Sequence, residues 1–164
     1  MILLRIILDG LVVAAVFNLT VALLWLSVPN AFSKMLPKEI RIVAPKRTKR
    51  EVKILAVVLY PLYIVIIAYM IISARQAGIS EFWDLFWVGY IEMFFVNLGD
   101  LIGLDWLFRE KYKEKLIIKG TEHCDAWNNE KWMLTLGIPE HCILWPVIVC
   151  PFVGFICAGI GTIL

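Results

Sequence analysis

Four long apolar stretches constrain the fold of this sequence more than any other feature. Residues 2–28, 54–73, 82–104 and 143–164 are each long enough to cross a hydrocarbon layer of about 30 Å as a helix. The first stretch exceeds the roughly 7–15 apolar residues of a signal peptide, so we expect a retained span. Hydrophobic residues make up 61% of the chain, against roughly 45–50% in soluble domains. The sequence therefore predicts an all-α, polytopic membrane protein, in which four transmembrane helices form one bundle and one domain over residues 1–164.

The lysine and arginine residues predict the orientation of these helices. Half of the 16 lie between Lys34 and Lys53, and most of the others lie between Arg109 and Lys131. Cytoplasmic loops of membrane proteins are rich in these residues. Loops one and three are therefore predicted to be cytoplasmic, with both termini outside the cell membrane. Because membrane topology accounts for the basic residues, we expect no nucleic-acid partner.

Loop one ends in a basic run from Lys46 to Lys53. Such a run can hold anionic lipid head groups, at about 1 kcal/mol for each basic residue, or it can serve only as a topology anchor. Within the run, Thr48 and Glu51 fit the pattern of a capping box. This pattern predicts that the second helix begins near Lys49.

The third apolar stretch carries acidic and amide side chains. At about 100° per residue, Asp100 and Asn97 lie about 80° and 140° from Glu92 on an α-helix, on a face that also carries glycines. This face is predicted to point into the bundle. Asp105 falls about 220° from Glu92, so we expect it off that face. At the cytoplasmic end of the span it can reach head groups or loop three and need not be buried.

Glu92 is predicted to lie near the middle of the membrane. An acid at that depth costs at least about 2.5–3.5 kcal/mol, and we expect no basic side chain to offset it, because Arg5 is placed to pair with Asp9 near a membrane surface. Glu92 is then either neutralised by a bound cation or protonated and hydrogen-bonded, with Asn18 as one candidate partner. Asn18 itself should find a partner on another helix.

After the third stretch, the sequence predicts an amphipathic cytoplasmic extension of the helix along the membrane surface. Phe108, Tyr112 and Leu116 recur every four residues among charged neighbours. In the loop that follows, Trp127 and Trp132 are expected to anchor a short helix at the membrane interface.

One segment of the chain resembles a known group of proteins. The run NLGDLIGLDWL, followed by KLIIKGTEHCDAW, is similar over residues 97–125 to a family of small bacterial four-helix membrane proteins of unassigned function, which pair D-x-x-x-x-D-W-L with a downstream I-x-G-T-E. The resemblance implies that Asp100, Asp105, Thr121 and Glu122 belong to one arrangement. It implies no activity.

The tripeptide Glu-His-Cys occurs twice, at 122–124 and 140–142, and the two copies hold both histidines of the chain. Histidine and cysteine are zinc ligands, but the spacing within and between the copies is not that of a common zinc motif. We expect the cysteines of a cytoplasmic loop to be reduced thiols.

The fourth helix is predicted to begin near Pro139. Gly154 and Ala158, four residues apart, favour close helix contact, either within the bundle or in a homo-oligomer. Cys150 and Cys157 are expected to pack as buried apolar side chains.

Two classes of function fit these patterns. The first is a site that binds or transports a cation or a polar head group, facing the inside of the bundle. Its candidate ligand-binding residues are Glu92, Asn97, Asp100, Asp105 and Glu122.

The second class is a membrane-embedded enzyme that acts on a lipid-like substrate at the cytoplasmic interface with a divalent cation such as Mg²⁺ or Zn²⁺. Its candidate metal ligands are Asp100, Asp105, Glu122 and His123. The sequence contains no nucleophile beside a base, no phosphate loop and no nucleotide fingerprint. A structural subunit of a larger membrane complex is a third interpretation.

Overall fold

The computed structural model describes residues 2–164, which contain helices and no strand. Four helices are long and apolar enough to cross a membrane, and we call them spans one to four. They are Ile2–Ser27, Lys49–Gln76, Phe82–Leu116 and Asn129–Gly161. The predicted all-α class with four apolar helices of membrane-spanning length is therefore confirmed.

The spans divide into shorter elements. The α-helices are α1 (Ile2–Ser27), α2 (Lys38–Val43), α3 (Lys49–Gln76), α4 (Phe82–Gly99), α5 (Arg109–Leu116), α6 (Asn129–Trp132) and α7 (Cys150–Gly161). Short 3₁₀ turns cover Pro29–Phe32 and Asp125–Trp127. Three segments within the spans are π-helical, namely Asp100–Phe108, Met133–Gly137 and Pro139–Val149.

The start of span two is the element that the sequence predicts most closely. α3 begins at Lys49, and Thr48 caps it: the Thr48 hydroxyl accepts from the backbone N–H of Glu51 at 3.2 Å. The Glu51 carboxylate in turn accepts from the backbone N–H of Thr48 at 2.6 Å and from the amide of Asn30. The capping box is confirmed, and it also ties loop one to span two.

Span three is the centre of the packing, because it contacts spans one and four most extensively. Glycines bring the backbones close together. A Cβ atom on Gly154 would lie 2.8 Å from the backbone oxygen of Phe86, and one on Gly99 would collide with the side-chain amide of Asn18. The Asn18 amide donates to the backbone oxygen of Val96 on span three at 3.3 Å, so its predicted partner on another helix is confirmed.

Small residues of span four make these contacts within the chain. Ala158 is fully buried, and Cys150 and Cys157 are buried among apolar side chains, as predicted. A Cβ atom on Gly159 would meet nothing within 4 Å. Association of two chains through span four stays a prediction.

The π-helical segments interrupt the α-helical hydrogen bonding of spans three and four. Prolines supply a cause in span four, since Pro139 and Pro146 lack the N–H group that an α-helix needs. Gly103 and the preceding Gly99 weaken the α-helical preference of span three. In a π-helix the hydrogen bonds join residues five apart, and such turns are frequent at functional sites.

Loops one and three pack against each other at one end of the molecule. The Glu39 carboxylate in α2 accepts from the backbone N–H groups of Asp125 and Ala126, at 2.9 and 3.1 Å. These bonds satisfy the first donors of the 3₁₀ turn in loop three. The two predicted cytoplasmic loops therefore lie on the same side of the spans.

The tryptophans of loop three and span four are buried, contrary to the prediction that they anchor the membrane interface. Trp127 and Trp132 are 2% and 1% exposed. Trp132 stacks between Trp127 and Trp25 of span one, with ring centroids 5.7 and 5.9 Å away. Helical structure continues from span three to Leu116, and its position along the membrane surface stays a prediction.

Candidate functional site

Two acids of span three meet a histidine of span four inside the molecule. Ligand atoms of Asp100, Asp105 and His141 all lie within 4.8 Å of one another. Asp105 is 5% exposed and lies with Asp100, so the expectation that it lies off the polar face is wrong. That expectation assumed α-helical geometry, whereas the π-helical segment brings residues five apart to the same side.

Asn97 fixes the orientation of the His141 ring. The side-chain N–H of Asn97 donates to the backbone oxygen of His141 at 2.9 Å. Since a carbonyl oxygen only accepts, this bond identifies the amide nitrogen and leaves Oδ1 of Asn97 facing Nδ1 of His141 at 2.7 Å. Nδ1 must therefore carry a proton and donate it to Asn97.

The other ring nitrogen of His141 faces a carboxylate. Nε2 lies 3.3 Å from Oδ2 of Asp105, without hydrogen-bond geometry, and this buried oxygen accepts no hydrogen bond from any residue between 2 and 164. With Nδ1 protonated, a neutral ring presents a lone pair at Nε2. Two acceptors then face each other, and a positive charge between them, either a metal ion or a proton, is needed to make the contact favourable.

A buried arginine lies beside this group but does not neutralise it. Arg109 is 0% exposed and donates to the backbone oxygens of Asp105 and Trp127, each at 3.0 Å, and to the side-chain oxygen of Asn129. Its guanidinium carbon lies 4.8 Å from the centre of the Trp132 ring. The Arg109 side chain therefore joins span three to loop three and the start of span four, and its ion pair is with Glu110 and not with Asp105.

Asp100, Asp105 and His141 form part of the wall of a cavity of about 320 Å³. Residues of all four spans and of loop one line it. Glu140 adds a third acid, and its Oε1 lies 3.5 Å from the indole nitrogen of Trp145. The rest of the wall consists of aliphatic and aromatic side chains, including the phenol of Tyr63. The polar groups are therefore a minority of the lining.

Glu92 lies in a different place from these acids. It lines a second cavity, of about 10 Å³, together with Arg5, Asp9 and Ser73, and its Oε2 is buried without a hydrogen bond within the described chain. The predicted pair of Arg5 and Asp9 is present, at 3.6 Å. Arg5 lines the same cavity as Glu92, but its ion pair is with Asp9. A cavity of this size holds about one water molecule.

Glu122 and His123 do not join the acids of span three. Both are exposed in loop three, and the Glu122 carboxylate accepts from the backbone N–H of Gly120 at 2.8 Å. This bond holds the pKa of Glu122 below its usual value. Thr121, which the family resemblance groups with Glu122, is buried and accepts from the indole N–H of Trp127 at 3.0 Å. Thr121 and Glu122 therefore shape a turn of loop three.

The four cysteines are free thiols. Cys124 is buried in loop three and burial raises the pKa of its thiol, whereas Cys142 is exposed next to His141. Neither belongs to the group formed by Asp100, Asp105 and His141.

Comparison with protein-family models, with curated proteins and with solved structures gives no match. The resemblance to small bacterial membrane proteins therefore stays a prediction. Three residues of this site were missing from the predicted site: His141, Glu140 and Arg109. The second Glu-His-Cys copy, next to an apolar stretch, is the sequence signal that could have identified His141.

Proposed function

We propose that this chain is a multi-pass membrane protein that binds one divalent transition-metal ion through Asp100, Asp105 and His141. The orientation of the His141 ring carries the proposal. Asn97 accepts a hydrogen bond from Nδ1, which leaves Nε2 facing Oδ2 of Asp105, a buried oxygen without a hydrogen bond within the described residues. A ligand histidine of a metal site commonly donates its second ring N–H to a neighbouring oxygen, which fixes the ring and the tautomer. Asn97 would serve as that neighbour.

The spacing of the three side chains fits a single ion. Zinc bonds to histidine nitrogen and carboxylate oxygen are about 2.0–2.2 Å long, which places ligand atoms of one ion roughly 3–4 Å apart. The observed upper limit of 4.8 Å then requires the side chains to close by about an ångström, which a change in side-chain torsion provides.

Charge balance favours a divalent ion over an empty group of acids. Two aspartates contribute two negative charges. The ion pair of Arg109 is with Glu110, at 3.7 Å, and not with either aspartate. A buried unpaired charge is costly. An ion of charge two would bring the three ligands and the metal to a net charge near zero.

The types of donor atom limit which metal ions fit the site. Imidazole nitrogen favours zinc, iron, copper and nickel, whereas carboxylates also suit manganese and magnesium. A site with one imidazole and two carboxylates and no thiolate fits Zn²⁺, Mn²⁺ and Fe²⁺. Zinc is the ion we would test first because it has no redox chemistry and no strong geometric preference.

Metal analysis of the purified protein tests the proposal. Wild-type chain is expected to hold about one zinc ion after reconstitution, and Asp100→Asn and His141→Gln are expected to lose it. Glu92→Gln is the matched control, because it also removes a carboxylate of span three but lies at the other cavity. Equal metal content in all four proteins, whether high or negligible, would contradict the proposal.

A metal-dependent enzyme acting on a lipid-like substrate is a second candidate function. Three protein ligands leave an ion with an open position, as in catalytic zinc sites, and these ligands line a largely apolar cavity. Transport along span three has less support, because the cavity at Asp100 does not include Glu92 among its lining residues.

We also propose that loops one and three are cytoplasmic and that the run from Lys46 to Lys53 meets anionic head groups. The distribution of basic residues supports this orientation, and the contact of Glu39 with the 3₁₀ turn at Asp125 places both loops at one end. The proposed metal site then opens toward the cytoplasmic half of the membrane.

A further inference from the structure

The 320 Å³ cavity has one polar end and apolar walls. Its polar atoms lie mainly on the facing π-helical segments of spans three and four, and they belong to Asp100, Asp105, Glu140 and His141. Most of the remaining wall is aromatic or aliphatic. The larger aromatic side chains of that wall are Phe17, Trp25, Phe32, Trp132 and Trp145. Such a lining suits a ligand with one polar end and one apolar end.

The geometry points to a binding site for a single-chain amphiphile whose carboxyl oxygen, as a free acid or as an ester, lies at Asp100, Asp105 and His141 while its alkyl chain fills the aromatic part of the cavity. This inference rests on the proposed metal function, because the metal ion would coordinate the carboxyl oxygen in its open position.

The size of the cavity sets the length of the chain. A volume of about 320 Å³ is at the lower end of ligand pockets, which cover roughly 300–1,000 Å³. Pockets of this size hold small ligands, so a single chain of about ten carbons suits the cavity better than a two-chain phospholipid.

The charge of the site selects the head group. A divalent ion held by two aspartates has a net charge near zero and accepts one more oxygen donor. Glu140 lines the same polar end and disfavours heads with two or more negative charges. A carboxylate or an ester carbonyl therefore fits better than a phosphate monoester.

The cavity also has an entrance suited to a membrane ligand. Leu144 of span four lines it and is 44% exposed, and Met35 of loop one lines it and is 49% exposed. Because Leu144 belongs to a helix long and apolar enough to cross a membrane, we expect its exposed surface to face hydrocarbon. An alkyl chain can therefore enter from the bilayer without crossing water.

Equilibrium binding of radiolabelled decanoate to the purified protein in nanodiscs tests this inference, with methyl decanoate as a competitor to separate acid from ester. Zinc-loaded wild type is expected to bind decanoate saturably, and chelator-treated protein is expected to lose that binding. Val21→Trp would fill the cavity, since Val21 lines it, and is expected to keep zinc but lose decanoate. Val16→Trp is the matched control on the exposed side of the same helix, and is expected to keep both.

Zinc content, measured on the same samples, separates the two ideas. A wild type that holds zinc but shows no saturable decanoate binding, or a Val21→Trp variant that binds decanoate as wild type does, overturns the inference and leaves the metal site in place. A wild type that holds no zinc overturns both. Zinc retained by Val21→Trp shows that this variant is folded around the site.

Discussion

His141 depends on an amide for its role in the proposed site. Asn97 exchanges two hydrogen bonds with it, one to the backbone oxygen and one to the ring. Both residues are buried, at 1% and 3% exposure, so no bulk water replaces a lost partner. Removing the amide frees the ring to rotate and to change its tautomer, which weakens its hold on a metal ion.

We therefore expect Asn97→Ala to lower zinc affinity about 10–100-fold, measured by competition with a chelator of known affinity. Asn18→Ala is the control, because the Asn18 amide also donates a hydrogen bond between spans one and three but does not bond to His141. Equal zinc affinities for Asn97→Ala and wild type would contradict the assigned tautomer.

Arg109 stabilises the fold through buried contacts. Its guanidinium makes three hydrogen bonds to uncharged oxygens of Asp105, Trp127 and Asn129 and lies over the ring of Trp132. Hydrogen bonds from a charged group contribute about 1.5–3 kcal/mol each, and loss of the donor leaves buried acceptors unsatisfied.

Arg109→Met is expected to lower the free energy of unfolding by about 2–4 kcal/mol, measured by denaturant titration in mixed micelles. Lys111→Met removes a basic side chain from an exposed position two residues away and should change it by less than about 0.5 kcal/mol. A similar loss in both variants would mean that net charge, and not the buried contacts of Arg109, accounts for the effect.

At the scale of the helices, glycines decide how closely spans three and four approach. Gly154 faces the backbone of Phe86, where a Cβ atom would lie 2.8 Å from the oxygen. A backbone atom cannot move aside as the end of a side chain does, so a methyl group at this position must push the two helices apart.

Gly154→Ala is therefore expected to destabilise the protein by about 1–3 kcal/mol, measured as a change in unfolding free energy. Gly159→Ala is the matched control on the same helix, since a Cβ atom there meets nothing within 4 Å. It should be neutral or stabilise by up to about 1 kcal/mol through helix propensity. Destabilisation by both substitutions would point to a contact of Gly159 outside the chain, such as the predicted homo-oligomer.

Sequence periodicity predicts the helices well and the site only in part. Length and apolarity define the four spans, and local capping chemistry places the start of α3 at Lys49. The π-helical segment, however, changes the angle between Asp100 and Asp105, and an α-helical period cannot show this. The fourth helix is predicted to begin near Pro139, so His141 falls in its first turn, whereas span four begins at Asn129 and His141 lies well inside it.

Across the whole molecule, the ends of the four spans carry different chemistry. One end holds loops one and three with most of the basic residues. The other holds the Arg5 and Asp9 pair, which shares a cavity with Glu92. The proposed metal site lies toward the loop-one end, because α2 and the turn at Pro29–Phe32 pack near its cavity. Orientation in the membrane therefore decides which compartment supplies the metal.

Cysteine labelling of intact cells with a membrane-impermeant maleimide tests that orientation. The parent is Cys142→Ser, since the other three cysteines are buried. Lys46→Cys in loop one and Lys119→Cys in loop three are expected to react only after the membrane is opened, whereas Glu81→Cys in loop two is expected to react in intact cells. The reverse pattern would place both loops outside and the metal site with them.

Loops one and three must react alike whichever way the chain is oriented. Glu39 of α2 binds the backbone of Asp125 and Ala126, and this contact requires Lys46 and Lys119 to lie on one side of the membrane. Opposite labelling of these two positions would contradict the packing of loop one against loop three. It would also mean that either span two or span three does not cross the bilayer. The same experiment thus tests the number of membrane crossings separately from their direction.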